Sequence, residues 1–600
     1  MSKRPTVHFS NRLEELAYQL GNELFKEGMD PFSKRLVLLP SHSLKLYLLS
    51  FFASHPKWSV CAGITFKTLL NGALYFFSEE ELKKFPSPLA LSFKVEQHLS
   101  KSVDDPSFAE IKHYLEPSSE QKRVWLAEEL SHLFYEYANS EGKALLSWKE
   151  KKGWKQSLWN RVFSSYDALS EELKKGKQTT SEEVHLFGFS HVPSCFYEFF
   201  CSLGMHLYFL SPSTCFWEDL CSDQERIFLE KKMEGKKVRL QVREQMSFLL
   251  KEAHPLLANW GKVGRTLIRQ LGDTESYLEE EYEDPLLRGS CALTHLQAGF
   301  LELVETKTEL SLEDSSVLCL SSTSKLREVE SLFETLQEFM VLHKDLEPKD
   351  ILVLSPDMES YFPYVQMVFG ADNSQIGYSI HGLSLGLTDE SSRALMFFFS
   401  LAESRFDLSR ILKFFSFSSV MKKFGWQVED LHLIEEWFEE ARVLWGFDPE
   451  HKKTCLDQTW PDGAFKGPFP KQGTWEEGIC RLIRGLAMDL DSYSLKEEEI
   501  PASWPLPQVE WGDSELLGRV INALFSLQEN LKPIYQKEEK TLAEWSSLTQ
   551  KWILFYFEKT ASVEALIGDL ESLKQEMQAE ASFFLSFTSF KRAIETHFRR

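Results

Sequence analysis

Apolar positions along this 600-residue chain change their spacing several times, and each change predicts an element. Thr6 to Phe9 is a short β-rich run. Ser10 and Asn11 are good helix-capping residues, and the amphipathic stretch after them predicts a helix to about Phe25. Leu36 to Leu39 is continuously apolar, the pattern of a strand buried on both faces of a parallel sheet. The turn Pro40-Ser-His-Ser43 and a helix through Lys45 and Tyr47 follow. From about 70 to 175 strand alternation disappears, and helices with charged faces are predicted. Strand patterns resume at Val184–Phe187 and near Leu207–Leu210. Tyr277 to Asp284 carries five acidic residues and reads as a solvated linker.

The second half repeats this order. Val317 to Leu320 predicts a strand. Ser324 caps a predicted helix to about Met340, with Leu326, Val329, Leu332, Phe333, Leu336 and Phe339 as its apolar stripe. Ile351 to Leu354 predicts the next strand and completes a βαβ unit. From about 390 to 595 the pattern is helical, with loops around 449–473 and 501–507. The fold class is therefore α/β and helix-rich: two modules with inserted helical subdomains, the second incomplete. The expected divisions are a first module over 1–275 with its helical insertion at about 70–175, an acidic linker and connecting helix over 276–315, a second α/β core over 316–395, and a helical subdomain over 396–600. A parallel sheet without its returning strands leaves an open apolar edge. The chain is thus expected to be a piece of a longer subunit or to need a second polypeptide, with 390–600 the region cut first by protease.

Charge and composition narrow the function. Ninety acidic residues against 67 basic ones give a net charge of −23, which argues against a protein that coats DNA with a basic surface. A basic channel inside an acidic shell stays compatible with it. The 47 Phe read first as core residues taking the place of Leu. The cysteines, Cys61, Cys195, Cys201, Cys215, Cys221, Cys291, Cys319, Cys455 and Cys480, form no C-x-x-C pair, which fits reduced thiols in the cytoplasm. No apolar run approaches a membrane span, so no membrane partner is expected.

Candidate chemistry concentrates in His254-Pro-Leu-Leu-Ala-Asn-Trp-Gly-Lys-Val-Gly-Arg-Thr266. It is not a phosphate loop: Val263 follows Lys262, and Leu256 stands at the upstream glycine position. Two readings of the run stay open. Lys262 and Arg265 contact DNA phosphates beside Trp260, with Gly261 and Gly264 permitting close approach; or Trp260 packs a helix start and Arg265 pairs an acid. Ser41, His42 and Lys45 lie at a helix N-terminus, which favours phosphate oxygens. No nucleophile elbow is present, and the short Glu-x-Lys strings are what chance gives in a chain with 26% charged residues. Arg327 and Glu328 read as a surface or interdomain ion pair.

The 254–266 run resembles a segment of the RecC family, the gamma subunit of the RecBCD complex (exodeoxyribonuclease V). In the same order follow Ser10-Asn-Arg-Leu13, Gly188-Phe-Ser-His-Val-Pro193, Arg327-Glu-Val-Glu330, Asp350-Ile-Leu-Val-Leu354, Val368-Phe-Gly370, Ser404-Arg-Phe406 and Gly485-Leu-Ala-Met488. The resemblance covers the N-terminal part of that longer family. It implies two degenerate superfamily 1 helicase-like modules, with Pro-Ser-His-Ser43 in place of a phosphate loop and Gly188-Phe189 in place of a magnesium-binding Asp-Glu pair. It implies a subunit with no catalytic residues and no cofactor of its own, RecB-like and RecD-like partners that use ATP and Mg, and double-stranded DNA ends and single-stranded DNA as ligands. In the family the region of Ser41, His42 and Lys45 lines a channel that scans the 3′-ended strand for the Chi sequence. Here Pro40 and His42 depart from the amides and small hydroxyl typical there, and His132 and Tyr135 stand where acidic residues are common. A helical interaction scaffold without a DNA role is the alternative.

Overall fold

The computed structural model describes residues 4–26, 34–58, 63–101, 105–115, 120–140, 153–175, 182–234 except 216 and 219, 254–304, 309, 311, 313–370, 376–380, 389–459, 468–488, 504–576 except 508, and 584–598. Six parallel strands form one sheet: β1 (Thr6–Ser10), β2 (Arg35–Leu38), β3 (Ile64–Lys67), β4 (Val184–Phe187), β5 (His206–Leu210) and β6 (Tyr277–Glu280), in the order β3-β2-β4-β5-β1-β6. The inner strands are buried on both faces, as their apolar runs require. Val7, Leu36, Leu38, Leu186 and Leu207 meet the helix Ser194–Leu203 on one face. Val37, Phe187 and Tyr208 meet Leu13–Leu24 and His42–Ser54 on the other.

Two local expectations are corrected here. Ser10 and Asn11 do not cap the first helix. It starts at Leu13 after Arg12, and Asn11 instead exchanges two hydrogen bonds with the backbone of Glu283, at 2.7 and 3.1 Å. The acidic stretch 277–284 is not all linker. Tyr277–Glu280 pairs with β1 as an edge strand, and the Glu279 carboxylate reaches Nδ1 of His8 at 2.9 Å. Its four residues are exposed, so charge was a true signal of solvent but not of irregular backbone. β3, the other edge, had no separate sequence signal.

Between β3 and β4 the chain is helical, as its pattern predicts. Pro88–Lys101, Glu120–Ser140 and Trp154–Val162 enclose Leu91, Val95, Leu99, Phe134 and Trp159. The C-terminal region is a larger helical body around Phe398, Phe399, Phe414, Trp437, Trp475, Trp545, Trp552, Tyr556 and Phe590, which is where many of the phenylalanines go. Pro449–Thr459 is a helix rather than a loop, and Phe584–Leu585 forms a two-residue antiparallel ladder with Lys540–Thr541. Leu89, Ala90 and Phe93 of Pro88–Lys101 belong to this C-terminal core. Glu96 and Glu128 of the insertion accept hydrogen bonds from Ser589 and Thr596, at 2.9 and 2.8 Å, and Arg592 pairs with Glu128.

The second expected sheet is absent among the described residues. Neither 317–320 nor 351–354 has a ladder partner. Leu320 is 66%, Leu352 81% and Leu354 83% exposed. The helix capped by Ser324, Lys325–Leu342, does form and packs against Met358–Phe369, with Val329, Leu336, Phe369 and Ile376 as a small core. A strand exists by pairing, and these two segments have the composition of strands without neighbours.

Protease is expected to cut within 313–380 before the helices of the C-terminal body, because the described chain at 313–380 has little core whereas the described residues of 390–598 are well packed. First cuts inside those helices would overturn this ordering. Phe93→Ala should cost about 3–5 kcal/mol and split one calorimetric transition into two, since it weakens the core that joins the insertion to the C-terminal body. A single unshifted transition would show that the two bodies are joined elsewhere.

Candidate functional site

The order of strands creates a crevice at their carboxyl ends. The chain leaves β2 toward β3 and leaves β4 toward β5, on opposite sides, so the β2/β4 junction is a topological switch point. Ser41, His42 and Lys45 all sit there. Ser41 caps the helix, its hydroxyl accepting from the Leu44 N–H at 3.4 Å. His42 is exposed, and the half-buried Lys45 holds Nζ 6.0 Å from the Phe66 ring of β3. Lys67 stands next to Phe66, with Nζ 5.4 Å from the ring of Tyr75. Phe66, Lys67 and Tyr75 escaped sequence analysis because β3 did. Gly188 closes the crevice from the β4 side at φ +75°, and a Cβ there would come within 2.9 Å of Leu44 Cδ1.

His132 and Tyr135 line a different place, a recess of about 500 Å³ shared with Glu96, Glu128, Arg592 and His597. Its far wall is the C-terminal helix Phe587–Phe598. His132 is a surface residue 3.6 Å from Glu136, one helical turn on. Burial pushes the Glu96 carboxyl above its ordinary range, against the Ser589 hydroxyl and the Arg123 guanidinium, which favour the charged form.

The 254–266 run divides by role. Pro255–Trp260 and Lys262–Gly272 are consecutive helices joined at Gly261. Both glycines lie against a buried residue outside the run, Trp217: a Cβ on Gly261 or Gly264 would meet that indole at 2.8 or 2.7 Å. Arg265 is 7% exposed and donates to Glu225 at 2.9 Å. The Ser222 N–H and then Arg265 hold the Glu225 carboxyl down at about 2. Arg265 is thus one half of an ion pair, the second of the two readings that the run left open. Trp260 does not pack the helix start; it is 76% exposed, beside exposed Lys262 and Val263. Of the candidate ligand contacts in this run, Trp260 and Lys262 face solvent.

Among the described residues no group of three or more His, Cys, Asp or Glu is placed to hold a metal ion. No helix among them is long and apolar enough to cross a membrane. The cysteines other than Cys61, which lies outside the described residues, are free thiols.

A parallel α/β module with a helical insertion, tied to a separate helical body, is the class of protein defined by this architecture. Two family models match: the RecC N-terminal domain over residues 6–303, and the RecBCD enzyme subunit RecC fourth domain over 388–600. Proteins named RecBCD enzyme subunit RecC align along most of the chain. The one from Escherichia coli (strain K12) is 24% identical over 96% of this chain and 55% of its own length. That of Mycolicibacterium smegmatis is 26% identical over 96% and 53%, and that of Haemophilus influenzae 22% over 80% and 48%. The chain belongs to the RecC family, and it spans about half the length of the curated relatives it matches.

Arg265→Ala should lose about 1–3 kcal/mol, because Glu225 loses its charged partner, while Trp260→Ala should stay within about 0.5 kcal/mol of the parent. The reverse ranking in urea melts would overturn this division of roles. The Glu225 carboxyl is lowered on folding, so its contribution is complete above its unfolded value near 4.5 and fades as pH falls toward about 2.

Proposed function

We propose that this chain is the non-catalytic, RecC-like subunit of a RecBCD-type helicase and nuclease in the cytoplasm. In this reading it splits duplex DNA ends and guides the 3′-ended strand past a site that scans for a Chi-like sequence. RecB-like and RecD-like partners supply ATP hydrolysis and Mg-dependent cleavage. The observation that carries the reading is the β2/β4 crevice. A helicase would bind nucleotide phosphates there, yet the turn holds Pro40-Ser41-His42-Ser43, whose serine hydroxyl is used as a helix cap. The same crevice presents His42, and Lys45 and Lys67 beside aromatic rings, residue types that suit a nucleic-acid strand. The membership of relatives in a complex named RecBCD supports the partners. The scaffold alternative draws on the acidic charge alone.

The test is co-purification with a RecB-like helicase-nuclease, followed by unwinding of a forked duplex across a salt series. The expected outcome is a stable complex whose fork binding weakens with salt, and a purified chain that turns over no ATP with or without single-stranded DNA. ATP turnover by the chain alone, abolished by Lys45→Ala, would overturn the reading.

A further inference from the structure

Around Trp445 the C-terminal body gathers four cations that make no ion pair among the described residues. Backbone crossings build the place. Gly446 donates to the Arg405 carbonyl at 2.7 Å, while Leu444 and Trp445 donate to the Gly473 carbonyl at 3.0 and 3.2 Å. Lys452, on Pro449–Thr459, donates from Nζ to the Gln472 carbonyl at 2.7 Å. Segments 404–406, 442–446 and 471–474 are thereby stitched side by side. Each brings an exposed cation: Arg405, Arg442 and Lys471. Lys452 is the fourth and is 5% exposed. Trp445 organises two of them, with the Arg405 guanidinium carbon 5.7 Å and Lys452 Nζ 5.2 Å from its ring. Gly446, at φ +80°, lets the lysine stem pass, since a Cβ there would meet Lys452 Cγ at 2.5 Å.

In an acidic chain the absence of counter-ions here is informative. Arg12, Arg161, Arg265 and Arg592 each sit on a carboxylate. Among the described residues these four cations make no such pair. The adjacent Asp448 is engaged elsewhere, accepting from the His451 N–H at 2.7 Å and from Gln528 at 3.1 Å. Burial lowers the pKa of Lys452 with no opposing carboxylate. A buried ammonium holding one carbonyl and one indole keeps donors unspent, and a buried charge is costly without a partner. An anion completes the arrangement. Cations on three adjacent loops suit a run of phosphates rather than one isolated ion.

We propose that Arg405, Arg442, Lys452 and Lys471, ordered by Trp445, form a second contact site for the backbone of single-stranded DNA, separate from the β2/β4 crevice. The proposal rests on the DNA-guiding function above. It is tested on the full chain by titrating a fluorescein-labelled oligothymidylate at several salt concentrations. Arg405→Gln with Lys471→Gln replaces two exposed side chains and leaves the core intact. The slope of log K against log salt should fall by about 1.4, from roughly 0.7 for each lost phosphate contact. Trp445→Ala should lower the slope as well, and Trp445→Phe should restore it. If the parent binds and the double variant keeps its slope, this site is refuted while the DNA function stands. If the parent does not bind the oligonucleotide at all, both fall.

Discussion

One helix belongs to two cores, and the arrangement of the molecule depends on it. Pro88–Lys101 presents Leu91, Val95 and Leu99, spaced by four, to the helical insertion. Leu89, Ala90 and Phe93, on the neighbouring stripe, enter the core of the C-terminal body nearly 300 residues later in the chain. Burying a side chain of this size contributes about 1.5–3 kcal/mol, so the two stripes together form a substantial joint. The polar contacts from Glu96 and Glu128 to Ser589, Arg592 and Thr596 sit beside it and fix its rotation. The insertion is in turn fastened to the helix that covers the sheet, Ser194–Leu203, whose Cys195 thiol lies 3.2 Å from the carbonyl of Asn139. The crevice, the recess lined by His132 and Tyr135, and the C-terminal body are therefore held in a fixed relation by packing, which suits a protein whose contribution is geometric.

Electrostatics follow from the same economy of partners. A chain with net charge −23 has carboxylates to spare, so a buried or half-buried cation is usually claimed by one. Arg265, held by Glu225, is an instance. The same economy makes unclaimed cations worth noticing, at the crevice and around Trp445. The histidines of the sheet show the converse. Burial keeps His8 and His185 below their ordinary pKa, so both are neutral rings stacked among aromatic neighbours such as Tyr208 rather than charges seeking a ligand.

What could be read from the sequence follows from what each element needs. β1, β2, β4 and β5 were legible because strands covered on both faces carry short runs of apolar and other β-favouring residues. β3 and β6 were not, because edge strands meet solvent and β6 is half acidic. Val317–Leu320 and Ile351–Leu354 carry such runs too and still formed no sheet, since composition cannot supply a neighbour. At the candidate site, the helix start carrying Ser41, His42 and Lys45 was local and therefore legible. The fate of the 254–266 run was decided by Trp217 and Glu225, about 40 residues away, and no spacing within the run could show them. The recess around His132 depends on a helix more than 400 residues downstream.

The two regions matched by family models, 6–303 and 388–600, are also the two that carry large cores. Between them lies a helical pair whose core is Val329, Leu336, Phe369 and Ile376, with Leu318, Leu320, Leu352, Val353 and Leu354 facing outward. A cluster of that size does not hold a unit of this length rigid by itself. Exposed apolar runs with strand composition are surfaces that associate. Rigidity in the flanking regions then has a consequence for the middle. Because Pro88–Lys101 fixes the N-terminal and C-terminal bodies relative to each other, the position of the unit between them is restricted at both ends. An added strand would meet a partly ordered edge, and the entropy cost of its docking would be lowered accordingly.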